Sequence, residues 1–250
     1  MESPSGRSLV LPSWCFAGQP PRVTTPKSPS LPPDLTTAQI RKAVDYIEKQ
    51  ASDLVEVYEE QRNVFSALVG IFGVKALHSY SAYKKARDPA VAQQKFPDLS
   101  HGGKPNPPPE RALESKGSSR PWALQSHYDH PGWYIVWRYL MDPTETIKPG
   151  LAVVVWRVDV VFIKKDQWKY EGSKAGATGG GRTHTFGLKS PAKMLREAAA
   201  YKLAGIVIKG GQPTLGVEDE GDEAEDEEET RPQNALYEFA TTRAARPHPA

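Results

Sequence analysis

The sequence predicts a mixed α/β domain set between two compositionally unusual ends. Helical periodicity begins near residue 37, short apolar segments punctuated by Gly and Pro follow it, and helical and then strand patterning returns from residue 190. At 250 residues, one domain with tails is favoured over two small domains.

Residues 1–36 carry eight prolines among Ser and Gly, a composition that buries little and predicts a disordered arm. A domain is expected over 37–215. With Asp34 or Thr36 as N-cap, Ile40, Val44, Ile47, Leu54, Val55, Tyr58, Val64, Phe65, Leu68 and Val69 recur at three- and four-residue steps, which predicts a helix. Gly70 and Gly73 are expected to end or bend it. Strands are predicted at Gln94 to Leu99, Arg111 to Gly117, Trp133 to Met141, Leu151 to Ile163 and Gln167 to Ser173. Asn106-Pro107-Pro108-Pro109 is a loop, because proline cannot donate to a sheet ladder. A short helix is expected over Arg120 to His130. A second helix is predicted from Ser190-Pro191 through Tyr201, stopping before Gly205, with a strand at Ile206 to Ile208. Residues 216–232 form an acidic segment expected to be disordered, and 233–250 a tail.

Charge narrows the function classes. The chain has 32 Lys+Arg and 30 Asp+Glu, a net charge of +2, but residues 218–229 read EDEGDEAEDEEE and hold ten of the acids. The rest carries 20 acids against 32 bases, a balance of +12. A body so charged favours an anionic polymer as partner over a small neutral metabolite. One cysteine, Cys15, excludes a disulfide framework and a multi-cysteine zinc module, and points to a reducing cytoplasmic setting. Phe65 to Leu77 and Leu151 to Ile163 fall short of the ~20 apolar residues of a spanning helix, so no membrane association is expected.

Chemistry concentrates where two predicted strands begin. Pro97-Asp98 opens one, and Glu114-Ser115-Lys116 lies in the next after fifteen intervening residues. Side chains at i and i+2 share a strand face, so Glu114 and Lys116 point one way and Ser115 the other. If these strands are neighbours, ~4.8 Å apart, Asp98 joins the other two. Two carboxylates can hold Mg²⁺, a hard cation that keeps several waters, and leave positions for a phosphate oxygen and an attacking water. Lys116 would then stabilise charge developing on the phosphorane or favour the deprotonated nucleophile.

These residues resemble the PD-(D/E)xK signature of restriction endonuclease-like nucleases, over roughly residues 37–142. The resemblance implies a mixed-sheet core flanked by helices. It has an N-terminal helix, a three-stranded piece carrying Asp98 and the Glu114/Lys116 pair, a crossover helix and a further strand. It also implies a Mg²⁺-dependent endonuclease in which Asp98 and Glu114 hold the metal and Asp98, Glu114 and Lys116 are catalytic. Some members recruit an acid from the N-terminal helix as a further ligand; Glu60 is the candidate here, set against its reading as a helix-surface acid. A type II restriction enzyme cutting a specific double-stranded DNA site is expected, because the chain is short and carries no helicase or nucleotide-binding motif. A repair, phage or mobile-element nuclease shares that profile. Cutting both strands requires two sites, hence a homodimer. A non-catalytic nucleic-acid-binding module is the competing class.

Other clusters compete with this one. Asp159, Glu171 and Lys174 form a rival constellation, but Glu-x-x-Lys sets its two side chains on opposite strand faces. Asp159 shares a face with Arg157 in an otherwise apolar strand, which predicts a buried ion pair. His127, Asp129 and His130 lack the further ligands of a histidine metal site and are read as structural or DNA-contacting. Trp122, Tyr128, Trp133, Tyr134, Trp137 and Tyr139 are read mainly as packing residues, with one or two at a groove edge. Residues 164–209 hold ten Lys+Arg and three acids, a local +7, and are expected to grip the DNA backbone. The contacts assigned there are Lys164, Lys165, Lys169, Lys174, Arg182, His184 and Lys189. The Gly-rich stretch Gly176 to Gly187 is either a loop closing on DNA or a linker.

Overall fold

The computed structural model describes residues 23–24, 30–86, 95–174 and 183–216. Its elements in order are β1 (Val23–Thr24), α1 (Thr37–Ser52), α2 (Val55–Glu60), α3 (Arg62–Tyr80), β2 (Tyr83–Lys84), β3 (Leu99–His101), β4 (Ala112–Ser118), β5 (Gln125–Ser126) and β6 (Gly132–Met141). They continue with β7 (Val153–Ile163), β8 (Trp168–Lys174), β9 (Thr183–Leu188), α4 (Pro191–Arg196), β10 (Ala199–Leu203), β11 (Ile206–Lys209) and β12 (Gln212–Leu215). The chain is therefore mixed α/β.

A seven-stranded sheet runs in the order β1-β10-β7-β6-β4-β3-β2, antiparallel except where β4 and β6 pair in parallel. A three-stranded sheet, β5-β9-β8, and the β11-β12 hairpin complete the strands. The faces of the large sheet follow from strand alternation. Leu99, Leu113, Ile135, Trp137 and Tyr139 share a core with Ile40, Ile47, Phe65, Val69 and Leu77 of α1 and α3. Tyr134 and Val136 point the other way, into a second core with Leu124, Ile163, Trp168, Leu188 and Leu195.

Thr36 caps α1. Its hydroxyl accepts from the Gln39 N–H at 3.3 Å, and the Gln39 side chain accepts the Thr36 N–H at 2.9 Å. Asp34, the alternative cap, instead reaches the His101 ring at 3.0 Å. The long predicted helix is three helices, broken at Asp53-Leu54 and at the extended Gln61. Gly70 and Gly73 do not end it; α3 runs through both. They let α3 approach the sheet, since a Cβ on Gly73 would sit 2.1 Å from Trp137 Nε1, and one on Gly70 3.2 Å from the Ser115 carbonyl. Gly117 answers from β4, where a Cβ would meet the Ser66 carbonyl at 2.2 Å.

Three other expectations are corrected. Residues 120–130 are an extended connection containing β5, not a helix. The carbonyls of Arg120 and Ala123 accept from Arg138 Nη1, at 2.7 and 2.8 Å, so a side chain from β6 satisfies groups that a helix would have paired internally. The second helix ends at Arg196, because Arg157 Nη2 takes the Leu195 and Arg196 carbonyls at 2.6 and 2.7 Å and the chain then enters the sheet as β10. The strand expected from Gln94 to Leu99 is instead Leu99–His101, which sets Asp98 just ahead of it. Within the Pro-rich arm, Val23–Thr24 pairs antiparallel with Lys202 and Leu203, and Leu35 is buried. The acidic segment and the tail lie outside the described residues. No described helix is long and apolar enough to cross a membrane.

Candidate active site

Sheet register brings the expected acids together. Leu99 pairs with Leu113 and Ser100 with Ala112; one further step of that antiparallel register sets Asp98 opposite Glu114. Ser115 faces the helices, donating its hydroxyl to the Gly70 carbonyl at 2.8 Å and accepting from Trp137 Nε1 at 2.8 Å. Glu114 and Lys116 therefore project from the other face.

Each carboxylate is held by a backbone N–H of the segment that carries the other. The Asp98 N–H donates to Glu114 Oε2 at 3.1 Å, and the Ser115 N–H donates to Asp98 Oδ2 at 3.0 Å. Lys116 Nζ donates to Glu114 Oε1 at 2.7 Å. Glu114 is 8 % exposed, while Asp98 and Lys116 are half-buried. Burial, and then the charge of Asp98, push the Glu114 carboxyl above its ordinary 4.5 against the pull of Lys116. Burial draws the Lys116 ammonium down, but the pair with Glu114 and the Asp98 charge outweigh it and hold the ammonium above its usual range. A divalent cation would relieve the crowding of two carboxylates, and the donor set, two hard oxygen groups with lone pairs to spare, fits one that keeps its own waters. Lys116 supplies a cation alongside.

Glu60 is not gathered in. It is exposed at the end of α2, whose Tyr58 packs on Phe65 and Tyr139 on the helical face. Among the described residues no three His, Cys, Asp or Glu side chains come together as a metal cluster. The rival constellation does not form either. Asp159 is fully buried between two guanidiniums, with Oδ2 at 2.6 Å from Arg138 Nε and Oδ1 at 2.5 Å from Arg157 Nε. Glu171 accepts from Gln125 at 3.0 Å, and the Lys174 side chain lies outside the described residues. The buried ion pair read from the sequence is thus a triad, and its second cation, Arg138, was legible only as one charge in the apolar run GWYIVWRYLM.

The β4 and β6 strands begin at the sheet end where β7 finishes, since Leu113 pairs with Trp133 and Gly132 with Ile163. Lys164 and Lys165 follow β7 directly, at the end that carries Glu114, and both are exposed. Lys165 lies 3.6 Å from Asp129. Lys189 is exposed beside them, its N–H donating to the Gln167 carbonyl at 3.0 Å. Lys169 is exposed on β8, and His184 on β9 shares a 3.0 Å hydrogen bond with the Tyr170 hydroxyl. Arg182 lies outside the described residues, as does most of the Gly-rich stretch, whose last part is β9.

Sequence reasoning missed the neighbours of the acids. Tyr134 stands beside Glu114 in the parallel β4/β6 pair, and burial with the charge of Glu114 drives its phenol far above its ordinary 10.0. Phe96, two residues before Asp98, stacks on Tyr134 with ring centroids 6.0 Å apart. No family model matches this chain, and neither the curated proteins nor the solved structures contain a match to it.

Proposed function

We propose that this protein is a Mg²⁺-dependent endodeoxyribonuclease of the restriction endonuclease-like kind. The observation that carries the reading is the convergence of Asp98, Glu114 and Lys116 on one sheet face through reciprocal backbone hydrogen bonds. Asp98 and Glu114 would hold the metal, which when bound supplies Lewis-acid polarisation of the phosphate and an activated water. Lys116 keeps a positive charge next to them and stabilises the anionic phosphorane. The exposed Lys164, Lys165, Lys169 and Lys189, with His184, would contact the backbone of double-stranded DNA. The strand order β2-β3-β4 followed by β6 supports the resemblance, while the extended connection where a crossover helix was expected departs from it. The form of this activity we infer is cutting at a specific duplex site in the manner of a type II restriction enzyme, as a homodimer in the cytoplasm, with a repair, phage or mobile-element nuclease as the alternative.

The test is incubation of the full chain with plasmid DNA, with and without Mg²⁺. Discrete Mg²⁺-dependent fragments support site-specific restriction, and a smear supports a less selective nuclease. No Mg²⁺-dependent cutting by the wild type contradicts the enzyme and favours a nucleic-acid-binding module.

A further inference from the structure

Four aromatic rings run outward from the carboxylates. Tyr134, fully buried, stands beside Glu114, and Phe96 stacks on it with planes 29° apart. The His130 ring lies 4.8 Å from Phe96 at 30°, and the Tyr128 ring 5.2 Å from His130, again at 30°. Exposure rises outward from the buried Tyr134: Phe96 is half-buried, and His130 and Tyr128 are both exposed, Tyr128 by 49 %.

The backbone that carries the outer rings is anchored. The Tyr134 hydroxyl donates to the His130 carbonyl at 3.0 Å, and Trp168 Nε1 donates to the same carbonyl at 3.3 Å. The Tyr128 N–H donates to Ser126 Oγ at 3.2 Å. Gly132 clears room for Phe96, since a Cβ there would lie 3.0 Å from the ring. Packing of the second core explains Tyr134 and Phe96, but it does not require the stack to continue into solvent through His130 and Tyr128. Exposed cations flank the stack at the sheet end that carries Glu114: Lys164 follows β7, and Lys165 lies 3.6 Å from Asp129. A half-exposed ring backed by a second ring and set beside cations suits a nucleobase on a phosphodiester strand, because every base offers a π-face and the cations meet its phosphates. Tyr170, the other exposed tyrosine of this region, packs on Phe186 and His184 instead.

We propose that Tyr128, backed by His130, is a stacking platform for one nucleobase of the DNA strand that crosses Asp98 and Glu114. The substrate then presents an unpaired base, already extruded or drawn from the duplex stack, on the strand that is cut. This rests on the nuclease reading of the carboxylates, and its test separates the two. The full chain, with Ca²⁺ in place of Mg²⁺, is titrated with a duplex carrying one bulged aminopurine and with its fully paired counterpart. The wild type is expected to quench the bulged aminopurine and to bind the bulged duplex about ten-fold more tightly than the paired one. Tyr128→Ala should lose both effects, and Tyr128→Phe should keep them. Equal binding of the two duplexes without quenching by the wild type, or unchanged quenching by Tyr128→Ala, overturns the platform. Mg²⁺-dependent cutting of plasmid is scored separately. Quenching lost in Tyr128→Ala without any cutting by the wild type retains base stacking and removes the nuclease; cutting without quenching does the reverse.

Discussion

Asp98 and Glu114 lie close enough to repel, yet each accepts a hydrogen bond from the segment that carries the other, so the pair is built into the β3/β4 register. Removing one carboxylate loses a hydrogen bond but also relieves the repulsion, so the two effects offset and mutation can separate the site from the fold. Asp98→Ala removes a half-buried carboxylate and is expected to shift stability by about 1 kcal/mol while abolishing cleavage. Lys116→Ala should lower the cleavage rate by at least about a hundred-fold, as losing one charge-stabilising donor does, with DNA affinity little changed. The pH dependence has a defined sign. Glu114 must be ionised to hold a cation, and burial with Asp98 raises its pKa above 4.5. Metal affinity should therefore fall as pH drops through that raised value, placing the acid limb of a metal titration above the ordinary glutamate range. Calorimetric Mg²⁺ titration from pH 4 to pH 8, about the window of a perturbed carboxyl, checks this.

At the scale of elements, long-range polar contacts decide where helices and strands end. The side chains of Arg138 and Arg157 leave β6 and β7 to bind carbonyls of segments distant in sequence, and both pair with the one carboxylate of Asp159. Periodicity shows α1, β6 and β7 because their patterns are local. It misreads residues 120–130 and 197–201, whose carbonyl partners and strand pairing depend on those arginines and on β7. The acids were legible for the same reason that the strands were, the two-residue alternation of β4. The Tyr134–Phe96–His130–Tyr128 stack was not, because it requires the parallel β4/β6 pairing and the turn before β6. Asp159→Ala should leave Arg138 and Arg157 buried without their counter-ion and cost about 3–5 kcal/mol. Its loss of activity would accompany a fall in melting temperature, unlike that of Asp98→Ala. A second buried pair ties α1 to the sheet: Glu48, 1 % exposed, accepts from Lys148 at 2.7 Å and from the Val155 N–H at 2.9 Å. Burial already raises the Glu48 pKa. Lys148→Met should destabilise by about 3 kcal/mol at neutral pH, and denaturant melts should show that deficit shrinking as acid neutralises Glu48.

The whole molecule carries its net +2 as a basic body of +12 and a stretch of ten carboxylates at residues 218–229. Such a run is either a solubilising linker or, if it comes within about a Debye length of a cationic surface, a competitor for DNA, and the competitor reading has a test. Deleting it should raise non-specific DNA affinity at low salt, and the gain should vanish as salt screens both partners; filter binding across a salt series reads this. Asp98, just ahead of β3, shares one sheet face with Glu114 and Lys116 of β4, and the role of the three has a direct test. Mg²⁺-dependent plasmid cleavage is compared for the wild type, Asp98→Ala and Lys116→Ala, each confirmed folded by its melt. Cutting by the wild type alone, absent without Mg²⁺ and lost in both variants, is the predicted result. Equal cutting by wild type and variants, or none by any of them, would contradict it.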